Sequence, residues 1–224
     1  MKKSYKVIDI ESWNRKSQFL WFNSFDNTTY GLDVRMDVTN LVNYSKKTKT
    51  SFFINFLYCL TVALNEIPEF RLRYVNNEVR LYETINPTYT VKCIDGSYNN
   101  ARHDFSKSYS EFYKRCHKVV EEEKINVKHR EEYNDSSYYD DFYFSCLPTL
   151  DFVGMTHPMI YKDKSSQSCT RALWGKYVLE NGRHKMTLNL TASHALIDGF
   201  PMAEGFNKTQ EIIDNFENFI EENK

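Results

Sequence analysis

Between Tyr30 and Val38 the chain alternates strictly. Tyr30, Leu32, Val34, Met36 and Val38 fall on one face, and Gly31, Asp33, Arg35 and Asp37 on the other. A period of two predicts a half-buried strand. From Phe52 through Leu64 the run is apolar, with Phe53, Phe56, Leu57 and Leu60. It predicts a buried helix that ends before Pro68, because a proline pushes its predecessor out of the helical region. Asp9 stands where it can cap a helix through Trp13 to about Phe19. Arg71–Val75 and Glu78–Tyr82 flank Asn76-Asn77 and predict a hairpin. Pro87–Ile94 reads as a further strand. Tyr109, Phe112, Tyr113, Cys116, Val119 and Val120 form one face of a second helix, with Glu121-Glu122-Glu123 at its solvated end. Asn126 to Asp141 is polar and reads as a loop, and Phe142–Leu147 is a short strand stopped by Pro148. Thr170–Leu179 and His184–Ser193 pair across Asn181-Gly182, a dipeptide suited to a type I′ turn. Met202, Phe206, Thr209, Ile213, Phe216 and Ile220, at steps of four and three, predict a terminal helix on the sheet.

Strands mixed with helices, joined in part by hairpins, define an α/β class with a mixed sheet, α+β on looser definitions. At 224 residues with 41% hydrophobic content, seven glycines, five prolines and no repeat or low-complexity linker, one domain over 1–224 is the simplest organisation. Twenty-nine Lys and Arg against 30 Asp and Glu leave a net charge of -1. That balance argues against broad electrostatic binding to nucleic acid. No window approaches 18 consecutive apolar residues, so no membrane span is expected. The start, Met1-Lys2-Lys3-Ser4-Tyr5-Lys6 followed by Asp9 and Glu11, has no apolar run of the kind a signal peptide needs. Five widely spaced cysteines (Cys59, Cys93, Cys116, Cys146, Cys169) without a Cys-x-x-Cys pair point to neither a disulfide framework nor a zinc site. No His/Cys/carboxylate cluster has metal-ligand spacing. A cytoplasmic, metal-free protein is the expectation.

The chemistry concentrates in Asn189-Leu190-Thr191-Ala192-Ser193-His194-Ala195-Leu196-Ile197-Asp198-Gly199-Phe200. Met186, Leu188, Leu190 and Ala192 alternate, and His194 falls next in that phase at the strand's end. A rigid sheet can there present the ring to a cleft. A histidine near neutrality can take a hydroxyl or thiol proton and return it. The plainer reading is a hydrogen-bonded structural histidine followed by an ordinary Asp-Gly turn.

His194-Ala195-Leu196-Ile197-Asp198-Gly199 resembles the His-x-x-x-Asp-Gly signature of coenzyme A-dependent acyltransferases. Other features, in order, resemble the chloramphenicol acetyltransferase family. They are Trp13-Asn14-Arg15-Lys16, then Asn65 with Glu69-Phe70-Arg71 and Tyr74, then Ser145-Cys146-Leu147-Pro148, then Gly175-Lys176-Tyr177. The resemblance covers essentially the whole chain. It implies a two-layer sandwich with a mixed, largely antiparallel sheet, the coenzyme A-dependent acyltransferase fold. It implies acetyl transfer from acetyl-CoA, as co-substrate, to a hydroxyl of chloramphenicol, hence antibiotic resistance. His194 would be the general base and Ser145 the oxyanion donor. Asp198 would pair with Arg15 to fix the loop after the strand. Lys49, Lys176 and Tyr177 would contact coenzyme A. A homotrimer with active sites between subunits is implied as well. The chain departs from the family pattern at Ser193, Leu173, Thr149, Ser51 and Phe22, positions that face ligands rather than the scaffold. A related acyltransferase for another small hydroxyl acceptor, and a non-catalytic ligand-binding relative, therefore stay open beside the chloramphenicol reading.

Overall fold

A computed structural model describes residues 5–127 and 139–224. The elements are β1 (Tyr5–Ile8), α1 (Lys16–Asn23), β2 (Thr29–Asp37), α2 (Thr39–Thr48), α3 (Phe52–Glu66), a 3-10 turn (Pro68–Arg71), β3 (Leu72–Val75), β4 (Glu78–Tyr82), β5 (Asn86–Lys92) and β6 (Tyr98–Arg102). They continue with α4 (Tyr109–Ile125), β7 (Asp141–Cys146), α5 (Lys164–Gln167), β8 (Arg171–Trp174), β9 (Val178–Glu180), β10 (Arg183–Ser193), α6 (Gly199–Asp214) and α7 (Phe216–Glu222).

The main sheet has the order β2-β10-β8-β7-β5-β6, with β9 also paired to β10. β5–β7 and β7–β8 run parallel and the other pairs antiparallel, so the sheet is mixed and largely antiparallel as expected. A three-stranded sheet, β1-β4-β3, stands apart. Helix α3 is apolar on nearly every face, and Ile54 through Leu64 are all buried, as such a helix must be. Its one amide in that stretch, Asn55, is satisfied by the Ser45, Thr50 and Tyr109 hydroxyls. The side chains of Met186, Leu188, Leu190 and Ala192 belong to the core. By strand alternation Thr187, Asn189, Thr191 and Ser193 face the opposite side. There Asp151 bonds Arg35, and the Met155 carbonyl receives Asn189.

Both predicted hairpin turns form. Asn76 and Asn77 (φ 52° and 63°) and Asn181 and Gly182 (φ 48° and 77°) take the left-handed conformations that a type I′ turn requires. Four expectations are corrected. Asp9 does not cap a helix. Its carboxylate accepts from the Glu11 backbone and the Ser12 hydroxyl in a turn after β1, and α1 starts only at Lys16. The run Thr170–Leu179 is two strands, β8 and β9. At the break the Lys176 N–H bonds Leu150 instead of the ladder, and a Cβ on Gly175 would meet that Leu150 carbonyl at 2.7 Å. The terminal helix is interrupted at Asn215, whose side chain competes for the Glu211 carbonyl. The Asp-Gly pair is not a turn of its own: Asp198 stands at the N-cap of α6 and Gly199 opens that helix. The polar stretch Asn126 to Asp141 lies mostly outside the described residues, and its last residue starts β7. β1, α2, α5 and β6 were not foreseen. No helix among the described residues is long and apolar enough to cross a membrane.

Candidate active site

His194 follows directly on β10, and its backbone N–H is tied to the Thr28 carbonyl at 2.8 Å. The imidazole stacks on Phe22 of α1, centroids 3.8 Å apart and planes at 18°, and meets Tyr30 of β2 at 4.5 Å. Nδ1 is buried without a hydrogen bond among the described residues, and Asp198 Oδ1 stands 3.6 Å from it, beyond hydrogen-bond reach. The side chain is 32% exposed. With one face on Phe22 and Nδ1 buried, the edge left open is the one that carries Nε2. Burial first, and the Asp198 charge second, push the Tyr30 phenol up to about 12. The neutral hydroxyl donates to the Ile197 carbonyl at 3.2 Å.

Asp198 occupies the N-cap position of α6, yet its carboxylate does not cap the helix. It accepts from Arg15 Nε at 3.0 Å instead, and Arg15 Nη2 stands 2.8 Å from its other oxygen as an ion pair. Arg15 Nη1 also donates to the Leu196 carbonyl at 2.6 Å and the Ala195 carbonyl at 3.3 Å. One planar guanidinium thus holds both ends of the turn after His194, a geometry that a lysine point charge would not reproduce. Ser193 reaches back to the Thr28 hydroxyl at 2.9 Å and fixes the strand end from the other face.

Ser145, on β7, sits in a row that crosses the sheet away from the helices. Its hydroxyl is 3.2 Å from that of Thr90, and Thr90 faces Asn100. On the other side Ser145 faces Leu173, Leu173 faces Asn189, and Asn189 faces Asp33. Ser145 and Thr90 border two cavities. The larger, 690 Å³, opens past Lys92, Lys124 and Ser51; a 400 Å³ cavity that shares Phe53, Cys146 and Pro148 with it leads to Lys176 and Tyr177. The third, 260 Å³, is lined also by His157 and by Arg171, the β8 neighbour of Tyr143. Lys49, the left-handed residue that ends α2, is exposed and borders none of these three cavities, two residues before Ser51.

The structure brings His194, Asp198 and Arg15 together. It does not bring His194 to Ser145 within one chain. Asn189 marks the Ser145 row on β10, and His194 lies five residues beyond it. That is roughly 17 Å along the strand and about 10 Å across two strand spacings. The sequence reading missed Lys92, Lys124 and His157. The two lysines are ordinary polar positions in their elements, and His157 lies in irregular chain with no periodic signal. The described residues contain no cluster of metal-ligating groups.

A helix-backed mixed sheet, a histidine clamped at a strand end and a serine between two cavities define an acyltransferase of the coenzyme A-dependent fold. Residues 3–210 match the family model described as chloramphenicol acetyltransferase, and the chain belongs to that family. It is 24% identical over 217 residues to a chloramphenicol acetyltransferase of Klebsiella sp, covering 95% of each chain. It is 23% identical over 220 residues to one of Clostridium perfringens, covering 97% of this chain and 99% of that one. Among solved structures, a chloramphenicol acetyltransferase superposes with a TM-score of 0.82 at 24% identity, over 94% of this chain and all of the other. A probable dihydrolipoamide acetyltransferase of Listeria monocytogenes shares the fold at a TM-score of 0.64 and 14% identity.

Proposed function

We propose that the chain, acting as one domain, transfers acetyl from acetyl-CoA to a hydroxyl of a small acceptor, with chloramphenicol as the first acceptor to assay. The observation that carries this reading is His194, stacked on Phe22 and locked through Arg15 and Asp198 with its Nε2 edge open. Nε2 takes the acceptor's hydroxyl proton as the oxygen attacks the thioester carbon. The C–O bond forms and the C–S bond breaks, and the proton passes on to the departing thiolate. General-base assistance of this kind supplies roughly 10²–10⁴-fold. Ser145 donates to the developing oxyanion while accepting from Thr90; one such donor is worth about 10²–10³ in rate. Lys92, Lys124 and Lys176 line the larger cavities, which suits the phosphates of coenzyme A. The smaller cavity on the other side of Ser145 suits the acceptor.

A base roughly 20 Å from its oxyanion donor needs a second subunit to close the site. The reading is therefore a homotrimer in which His194 of one copy faces Ser145 of the next. It also places the protein in the cytoplasm, where it would confer resistance to chloramphenicol. A second reading, a different hydroxylated acceptor, is favoured by Thr88, Tyr98, Asn100 and Tyr143, hydrogen-bonding residues among those that line the 260 Å³ cavity. Thiol release from acetyl-CoA in the presence of acceptor tests the proposal. Release should be lost in His194→Ala; equal release by that variant would reject the reading.

A further inference from the structure

We infer that Tyr30 is a positioning residue for the base: with Phe22 it flanks the His194 ring in an aromatic clamp, and the π electrons of the two rings stabilise the imidazolium formed when the acceptor's proton is taken. The clamp's use in catalysis rests on the proposed acyl transfer; the clamp itself is measurable on the free protein.

Phe22 comes from α1 and Tyr30 from β2, and their ring centroids stand 3.8 Å and 4.5 Å from that of His194. Both lie inside the distance of about 6 Å at which an aromatic ring attracts a cation. The Phe22 plane is nearly parallel to the imidazole, at 18°, and the Tyr30 plane is tilted by 35°. Tyr30 is not free to swing away, because its hydroxyl donates to the Ile197 carbonyl at 3.2 Å. Arg15 holds the two carbonyls before that one, Ala195 and Leu196. Three successive carbonyls of the turn after His194 are thus tied, two by Arg15 and the third by Tyr30. The phenol, pushed up to about 12 by burial and then by the Asp198 charge, keeps its proton, so the bond persists at working pH.

The ionisable groups that face the ring are Arg15 at the start of α1, Tyr30 on β2 and Asp198 at the end of the turn. Asp198 Oδ1 stands 3.6 Å from Nδ1, but the same carboxylate accepts from Arg15 Nε and forms an ion pair with Nη2. That pair has no net charge, and the neutral phenol adds none. A proton taken at Nε2 therefore makes a cation that no unpaired anion among these groups balances, and an acceptor over the Nε2 edge displaces water from it. An aliphatic wall of the same shape would only disfavour the charged ring, as burial does. Aromatic rings stabilise it instead, by an amount that corresponds to about 0.4–1.5 pH units. The proton later passes to the departing thiolate, and the ring returns to its neutral form.

NMR titration of the His194 ring protons in the full-length protein, without substrates, tests the inference. In Tyr30→Leu the titration midpoint should fall by about 0.4–1.5 pH units. Tyr30→Phe keeps the ring and drops the hydroxyl; its midpoint should stay with the wild type while its melting temperature falls. Phe22→Leu, at a half-buried position, should also lower the midpoint, and serves if Tyr30→Leu does not fold. In the acetylation assay the acid limb of kcat/KM should move to lower pH in the leucine variants. A midpoint unmoved in the leucine variants overturns the inference, even if their rates fall. An equal fall in Tyr30→Phe also overturns it, since the effect then belongs to the hydroxyl. A lowered midpoint with no acetyl transfer by the wild type rejects the acyl-transfer reading and leaves the clamp standing; acetyl transfer with an unmoved midpoint does the reverse.

Discussion

Phe22 and His194 stack nearly parallel, with ring centroids 3.8 Å apart. The contact joins α1 to the end of β10, elements far apart in the chain, and leaves the imidazole little freedom to tilt. A base must sit within hydrogen-bond reach of the proton it takes, and an error near 1 Å can cost about 10²-fold. Phe22→Ala should therefore lower kcat by about 10–10²-fold with coenzyme A affinity unchanged. Steady-state kinetics beside equilibrium coenzyme binding would measure it.

Arg15 and Asp198 form a two-point pair, with further bonds from Arg15 to the Ala195 and Leu196 carbonyls. Asp198 is partly exposed, so the pair falls between surface and buried cases. Its disruption should cost about 1–3 kcal/mol. Asp198→Asn and Arg15→Ala should each lower the melting temperature and the acetylation rate together. Arg15→Lys should recover charge without recovering the two-carbonyl clamp, and so rescue neither fully. Thermal unfolding and initial rates on the same preparations give the answer.

His194 and Ser145 stand about 20 Å apart in one chain by strand geometry, so on the trimer reading each site draws on two copies. His194→Ala and Ser145→Ala proteins, nearly inactive alone, should regain activity when unfolded and refolded together. Random assembly makes about a quarter of the interfaces intact in a closed ring. Recovery near that fraction of wild-type activity is the expected outcome; none would place both residues' work within a single subunit.

His103 and His157 are both held down at about 4, chiefly by burial. Between about pH 6.5 and 4 the unfolded chain takes protons that the folded one refuses. Stability should therefore fall as the pH drops through that window, by up to about 1.4 kcal/mol per histidine for each pH unit. Asp141, raised to about 6 by burial, works in the opposite sense: its folded form holds a proton between about 4 and 6 and gains stability as the pH falls. His103→Gln should flatten the acid limb and Asp141→Asn should steepen it. Denaturant unfolding at pH 4.5, 5.5 and 7 separates the two.

Periodicity alone determined the elements with the strongest local patterns. β2 followed from its alternation, α3 from an apolar run that no surface helix could carry, and the two hairpins from Asn-Asn and Asn-Gly dipeptides that favour left-handed turns. The His-x-x-x-Asp-Gly run and its companion motifs marked His194, Asp198, Arg15 and Ser145 because a short signature survives in one dimension. The breaks at Gly175 and Asn215 did not show, since each depends on a carbonyl brought close by folding or on a side chain's competition for one. The stack of Phe22 on His194 and the separation of base from oxyanion donor were likewise decided only in three dimensions. Strand order and register place residues that the sequence leaves tens or hundreds of positions apart, and no local propensity encodes a distance between them.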